Sequence, residues 1–189
     1  MMNLVTLVLA CSLYADNSIP YAMIQTGNGN NPLIVTVNHV TKHFKKTSEA
    51  IRYTQQQITQ GKTVDIGLMQ ISSQWLPEFS TPADLFRPCK NLVVATQIMN
   101  KLLLQCQTLA ERNPMLNIQS CMLSLYKTGN AQTGFTYANQ IIDYAAKHPF
   151  SVLAEKARDP GMLAAVAKPN AESPPDKNLS LTTHTTKPS

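Results

Sequence analysis

Apolar side chains fall at helical spacing through the second half of the chain. Leu92, Ala95, Ile98, Met99, Leu102 and Leu103 recur at i, i+3, i+4 and i+7 after the turn signal Arg87-Pro88-Cys89, which predicts a long buried helix. Ile118, Cys121, Met122 and Leu125 predict a second core helix running into Tyr126. Tyr137, Ile141, Ile142 and Ala145 predict a third, which stops before Pro149 because a residue preceding proline is pushed out of the helical region. Upstream, Thr47 or Ser48 is placed to cap a helix with Glu49 in its first turn and its end at Gly61. Gln55, Gln56 and Gln57 crowd that helix, which predicts a surface position with Ile51 and Ile58 on the inner side. The β-branched run Ile34 to Val37, followed by Val40 and Thr41, predicts a small extended excursion or hairpin between Leu33 and Phe44. The pattern is that of a mainly α protein with a minor β element.

Composition adds limits. A length of 189 residues suits one domain with a tail. From Lys168 to Ser189 the chain is Pro, Ser, Thr, Asn and Lys with almost no large apolar side chain, so disorder is expected from about residue 168. No apolar run approaches the roughly 18 residues that span a bilayer, so no transmembrane segment is expected and the body reads as soluble and globular. Leu4 to Ala10 is short and apolar like an export-signal core, and Ala10-Cys11 faintly resembles a lipoprotein cleavage site, yet no Lys or Arg precedes it. The segment reads instead as the first helix. The 16 Lys and Arg against 11 Asp and Glu give a net +5, spread along the chain apart from the cluster Lys42, His43, Lys45, Lys46. That balance favours anionic surroundings such as cell wall or membrane surface. A nucleic-acid binder needs a denser basic stripe interleaved with aromatics, and none exists.

Cys11, Cys89, Cys106 and Cys121 form no CxxC pair and have no histidine spacing that suggests zinc. They are either disulfides of an oxidising compartment, with three pairings open, or buried free thiols. His39 and His43 stand four apart in a stretch read as extended, too far separated for a metal pair, so solvent-exposed histidines are expected. No phosphate-cradling loop or G-x-S-x-G turn occurs, and nothing in the chain asks for a cofactor.

Three stretches, in order, carry a family resemblance. Ile24 to Leu33 (IQTGNGNNPL) is similar to a helix end and turn written E-S-x-x-N-P-x-A; Asp65 to Ile71 (DIGLMQI) is similar to G-L-M-Q-I preceded by aspartate; and Leu125 to Asn130 (LYKTGN), followed by Gly134, Phe135 and Tyr137, is similar to Y-N-x-G-N and the tyrosine-bearing helix after it. Together they resemble the lytic transglycosylase domain of bacterial conjugation and type IV secretion machines. The inserted segment from the hairpin to Gly61 and Pro88-Cys89-x-Asn91-Leu92, similar to D-P-C-x-N-L, also resemble that branch. Cys11, sixteen residues before Gly27, stands near a cysteine that the branch carries on its first helix. The resemblance implies a lysozyme-like helical domain of the goose-type or SLT kind over residues 1–150, with 151–189 as a C-terminal extension.

It further implies a periplasmic or cell-envelope peptidoglycan lyase of a secretion or conjugation apparatus, cleaving the MurNAc–GlcNAc bond to leave 1,6-anhydro ends. Its partners would be glycan strands and other components of the machine. Counting back five from Pro32, the position of the family's glutamate is occupied by Gly27. That glutamate is the general acid, so an inactive family member that binds strands or machine partners is the alternative. No Asp or Glu lies between Asp16 and Glu49, and a slipped turn cannot restore the acid. Asp65 is the candidate substitute acid, against the plainer role of capping the turn after it; Glu78, after Pro77, is a more distant one. Met69, Gln70, Ser72, Tyr126 and Tyr137 are implied as glycan contacts. Lys127 departs from the family's usual asparagine, and Trp75 would line the cleft or sit in the core. Gly27 and Gly29 read as turn residues.

Overall fold

The computed structural model describes residues 3–27 and 30–157 of the chain. The tail expected to be disordered, and Gly29, lie outside them. Helices α1 (Leu4–Cys11) and α2 (Ser18–Gly27) come first, then strands β1 (Ile34–Val37) and β2 (Val40–His43) and helix α3 (Thr47–Thr59). Strands β3 (Val64–Ile66) and β4 (Ile71–Ser72) and the short helix α4 (Leu76–Phe79) lead into α5 (Pro88–Arg112), α6 (Ile118–Thr128), α7 (Phe135–Lys147) and α8 (Phe150–Ala157). The fold is mainly α with a small antiparallel sheet, the lysozyme-like class that the resemblance implies.

Helix α5 is the spine. Proline opens it, its fixed φ suiting the first turn, and Leu92, Ala95, Ile98 and Met99 are wholly buried. Each large aliphatic side chain removed from water stabilises by about 1.5–3 kcal/mol. Helix α6 packs along α5, α7 along α6 and α2, and α8 returns onto α1, with Phe150 against Tyr21 at 5.7 Å. Asn117 caps α6 by accepting from the Ser120 amide. Gly129 ends it in the left-handed conformation, φ 71°, which glycine alone adopts without steric cost. The four cysteines are paired: Cys11–Cys89 ties α1 to the start of α5, and Cys106–Cys121 ties α5 to α6.

The sheet runs in the order β2-β1-β3-β4. The hairpin β1–β2 turns at Asn38 and His39, both at positive φ, as a two-residue turn matched to strand twist requires. Strands β3 and β4 were not foreseen from the residue pattern; at three and two residues they are too short to show a period. Helix α3 corrects the expected cap, because its N-cap is Lys46, with no side-chain cap bond, and Thr47 is already helical. Its glutamines also divide: Gln55 and Gln56 face solvent, while Gln57 is buried and accepts from Lys62 Nζ at 2.9 Å. Among the described residues, no helix is long and apolar enough to cross a membrane.

Candidate functional site

A cleft of about 240 Å³ opens where the end of α2, the hairpin, the loop between β3 and β4, and helices α6 and α7 converge. Met23 and Gly27 come from α2, Thr36 and Thr41 from the hairpin strands, Met69 and Gln70 from the loop, Tyr126 and Lys127 from α6 and Tyr137 from α7. The three stretches singled out in the sequence therefore meet in one place.

The loop Gly67 to Gln70 is held rather than free. Gly67 has φ 72°, and a Cβ there would collide with the Leu85 carbonyl oxygen and the Asn91 amide, so this position needs glycine on two counts. Asn91, fully buried, accepts from the Met69 amide at 2.8 Å and donates to the carbonyls of Leu85 at 2.8 Å and Ile66 at 3.1 Å. Tyr126 closes the other side, its hydroxyl donating to the Met69 carbonyl at 2.9 Å. Burial pushes that phenol well above its ordinary pKa, with negative charge at Tyr137 and Asp65 adding to the effect, so it stays a donor.

Gln70 sits at φ 52°, a conformation that disfavours a residue bearing Cβ. Its side chain compensates: Nε2 donates to the Gly67 carbonyl at 2.9 Å, and Oε1 accepts from Thr36 Oγ1 at 2.5 Å. Thr36 has one hydroxyl proton and gives it to Gln70, so the 2.8 Å contact with Thr41 has the Thr41 hydroxyl as donor. Loop and hairpin are thus bridged across the cleft floor.

Gly27 is the last residue of α2 and lines the cleft as part of a helix end, rather than as the turn residue expected. A Cβ at this position would meet nothing within 4 Å. Among the described residues lining the cleft there are hydroxyls, an amide, an imidazole and an ammonium, and no carboxylate.

Asp65 stands at the rim, in a smaller pocket shared with Thr36, His39 and Lys127, three residues that also line the cleft. It caps no turn; it lies mid-strand in β3, paired in register with Thr36 and Ser72. Lys127 Nζ approaches its carboxylate at 3.7 Å. Burial raises the Asp65 pKa, opposed by the charge and hydrogen bond of Lys127 and the charge of His39. The Tyr137 phenol is likewise raised, by burial first and by Asp65 second.

Other expected residues lie elsewhere. Ser72 is outside the cleft lining and starts a 3₁₀ turn over Ser73–Trp75. Trp75 does not line the cleft; partly buried, it packs against the margin of the hydrophobic core and meets Phe79 edge-on at 6.0 Å under Lys101. Glu78 is exposed and pairs with Lys101 at 2.6 Å. His39 and His43 are exposed as expected, though His39 also lines the cleft. No group of three or more metal-binding side chains occurs among the described residues. Thr36, Thr41 and His39 are cleft residues that the sequence pattern did not single out. Their signal, an exposed threonine and histidine in a β-hairpin, is shared by ordinary surface strands.

Residues 25–143 match the family model of the transglycosylase SLT domain. Over 180 residues the chain is 27% identical to the type IV secretion system protein virB1 of Brucella suis biovar 1 (strain 1330), the match covering 85% of this chain and 72% of that protein. The virB1 proteins of Brucella abortus biovar 1 (strain 9-941) and Brucella melitensis biotype 1 are similar to the same extent, 27% over 180 residues. No solved structure matches the chain.

Proposed function

We propose, since this chain belongs to the transglycosylase SLT domain family, that it works on peptidoglycan in the cell envelope as part of a type IV secretion or conjugation apparatus, and that its cleft holds a glycan strand without cutting it. One observation carries the second half of this reading. Gly27, at the position where the family resemblance calls for glutamate, ends α2 at the cleft wall, and no carboxylate lines that cleft among the described residues.

Breaking a β-1,4 glycosidic bond needs a proton for the departing oxygen from an acid within hydrogen-bond reach. In a lytic transglycosylase one glutamate supplies it and then takes the proton of the sugar's own 6-hydroxyl, leaving the 1,6-anhydro end. Losing a general acid removes on the order of 10²–10⁴ in rate. What remains is a binding surface. The Lys127 ammonium and the His39 imidazole are donors for sugar hydroxyls and N-acetyl carbonyls, and the Tyr137 ring gives an apolar face for the sugar ring.

A second reading has one observation in its favour. Asp65 is a half-buried carboxyl at the rim whose pKa is raised by burial, the property a proton donor needs. Its ion pair with Lys127 works against that use.

The test is to incubate the full chain and its Gly27→Glu and Asp65→Asn variants with purified sacculi, scoring pelleted protein and soluble products by mass spectrometry. The expected result is binding by all three and release of anhydro-muropeptides by Gly27→Glu alone. Release by the unaltered chain that Asp65→Asn abolishes would establish the second reading instead. Absence of binding by the unaltered chain would refute both.

A further inference from the structure

A second concavity, of about 510 Å³, lies beside the cleft on the far side of β2, lined by residues of β2, the following turn and α3. Four of its side chains are cations, Lys42, Lys45, Lys46 and Arg52, against one carboxylate, Glu49. Lys46 pairs with Glu49 at 4.0 Å. Among the described residues no ion pair joins Lys42, Lys45 or Arg52 to a carboxylate. Lys42 is positioned rather than loose: its Nζ lies 4.6 Å from the Tyr53 ring centre and 5.4 Å from that of Phe44. Such cation–π contacts fix an ammonium while leaving its N–H groups for a ligand.

The groove lies across the edge strand β2 from the cleft. Thr41 belongs to the cleft wall and Lys42, the next residue, to the groove wall, because neighbouring strand residues point to opposite faces. Strand β2 is the edge of the sheet, so only one strand, about 5 Å across, separates the two.

We propose that this groove receives the carboxylate-bearing stem peptide that hangs from the muramic acid of a glycan strand lying in the cleft. The inference rests on the reading of the cleft as a glycan site. A stem of four residues reaches roughly 13 Å when extended, enough to leave the cleft and pass over one edge strand. Its free carboxylates match the unpaired cations, and its short aliphatic side chains match the faces of Phe44 and Tyr53. An anionic lipid surface would offer the same charge without the covalent tether to a sugar in the cleft, and the single edge strand between the two concavities, short enough for a tethered stem to cross, favours the peptide.

The experiment compares affinity of the full chain for solubilised glycan strands with stem peptides intact and for the same strands stripped by an amidase. The charge-reversed variant Lys42→Glu/Arg52→Glu, altered at two exposed positions, is measured alongside. The unaltered chain is expected to bind peptide-bearing strands roughly tenfold more tightly, with the preference fading as salt approaches about 1 M. The variant is expected to keep its affinity for stripped strands and lose the preference. Equal affinity of the unaltered chain for both strands, or the variant keeping the preference, overturns the peptide groove while leaving the glycan cleft standing. Failure to bind either strand overturns the cleft reading and the groove with it. Binding to phosphatidylglycerol vesicles that abolishes the strand preference assigns the groove to lipid and overturns the proposal.

Discussion

Replacing Asn91 with leucine tests whether the cleft loop is held by one buried amide. The side chain is inaccessible to solvent and serves three backbone groups: the Met69 N–H and the carbonyls of Ile66 and Leu85. Leucine fills a similar volume and leaves all three without partners. Each orphaned buried group costs about 1–3 kcal/mol, and burying leucine in place of an amide returns about 1–2 kcal/mol. The expected net loss is therefore about 1–8 kcal/mol and centres near about 4 kcal/mol, a large part of the roughly 5–15 kcal/mol that holds a domain folded. Urea unfolding followed by circular dichroism measures it as a fall in midpoint at unchanged m. The variant should also bind sacculi more weakly under conditions where it remains folded, because Met69 and Gln70 lose their anchor. A loss below about 1 kcal/mol would refute the reasoning, since it would mean that water replaces Asn91 at all three groups.

Three further outcomes follow from the same contacts. Tyr126→Phe removes the donor to the Met69 carbonyl and should cost about 1–2 kcal/mol, read from the same unfolding curves; no loss would show that cleft water takes over the bond. Serine replacement of the pair Cys11–Cys89, which spans 78 residues, should cost about 4.5 kcal/mol by the chain-entropy estimate, against about 3 kcal/mol for Cys106–Cys121, which spans 15; a reversed order of midpoints would refute it. The raised pKa of Asp65 means that the folded state holds its proton more tightly than the unfolded chain does, so its stabilising effect is complete below the unfolded value of about 3.8 and lost as pH rises through the folded one. Asp65→Asn should therefore raise Tm more at pH 7 than at pH 3.5, and the opposite ordering would show that Lys127 outweighs burial.

The helical frame is legible because its information is local. The stripe Leu92 to Leu103 and the runs around Met122 and Ile141 repeat over two to three turns, and each became a helix with those residues on its inner side. The hairpin was legible for the same reason, its β-branched positions pairing Val37 with Val40. What was not legible depends on contacts distant in sequence. Asp65 reads as a turn cap beside Gly67, and only its pairing with Thr36 and its meeting with Lys127 place it on a strand at the cleft rim. Gln57 looks like its exposed neighbours until Lys62 is seen to fold over it. Asn91 carried a resemblance without a mechanism, because the groups it bonds lie 6 to 25 residues away.

The parts that shape the cleft and the part that would do chemistry in it are separable. Asn91, Tyr126 and the Thr36–Gln70 bridge hold the walls, and none of them touches residue 27, where an added Cβ meets empty space. A change there should alter rate and leave shape alone. Gly27→Glu exchanges glycine for a better helix former at the end of α2, a gain of about 0.5–1 kcal/mol. Against this, a negative charge at a helix C-terminus costs about 0.3–1 kcal/mol. The two nearly cancel, so the midpoint of unfolding should move by less than about 1 kcal/mol while anhydro-muropeptide release rises by the 10²–10⁴ that a general acid supplies. A variant that is folded, equally stable and still silent on sacculi would show that the cleft has diverged in more than its acid, and that holding the strand is the whole of its work.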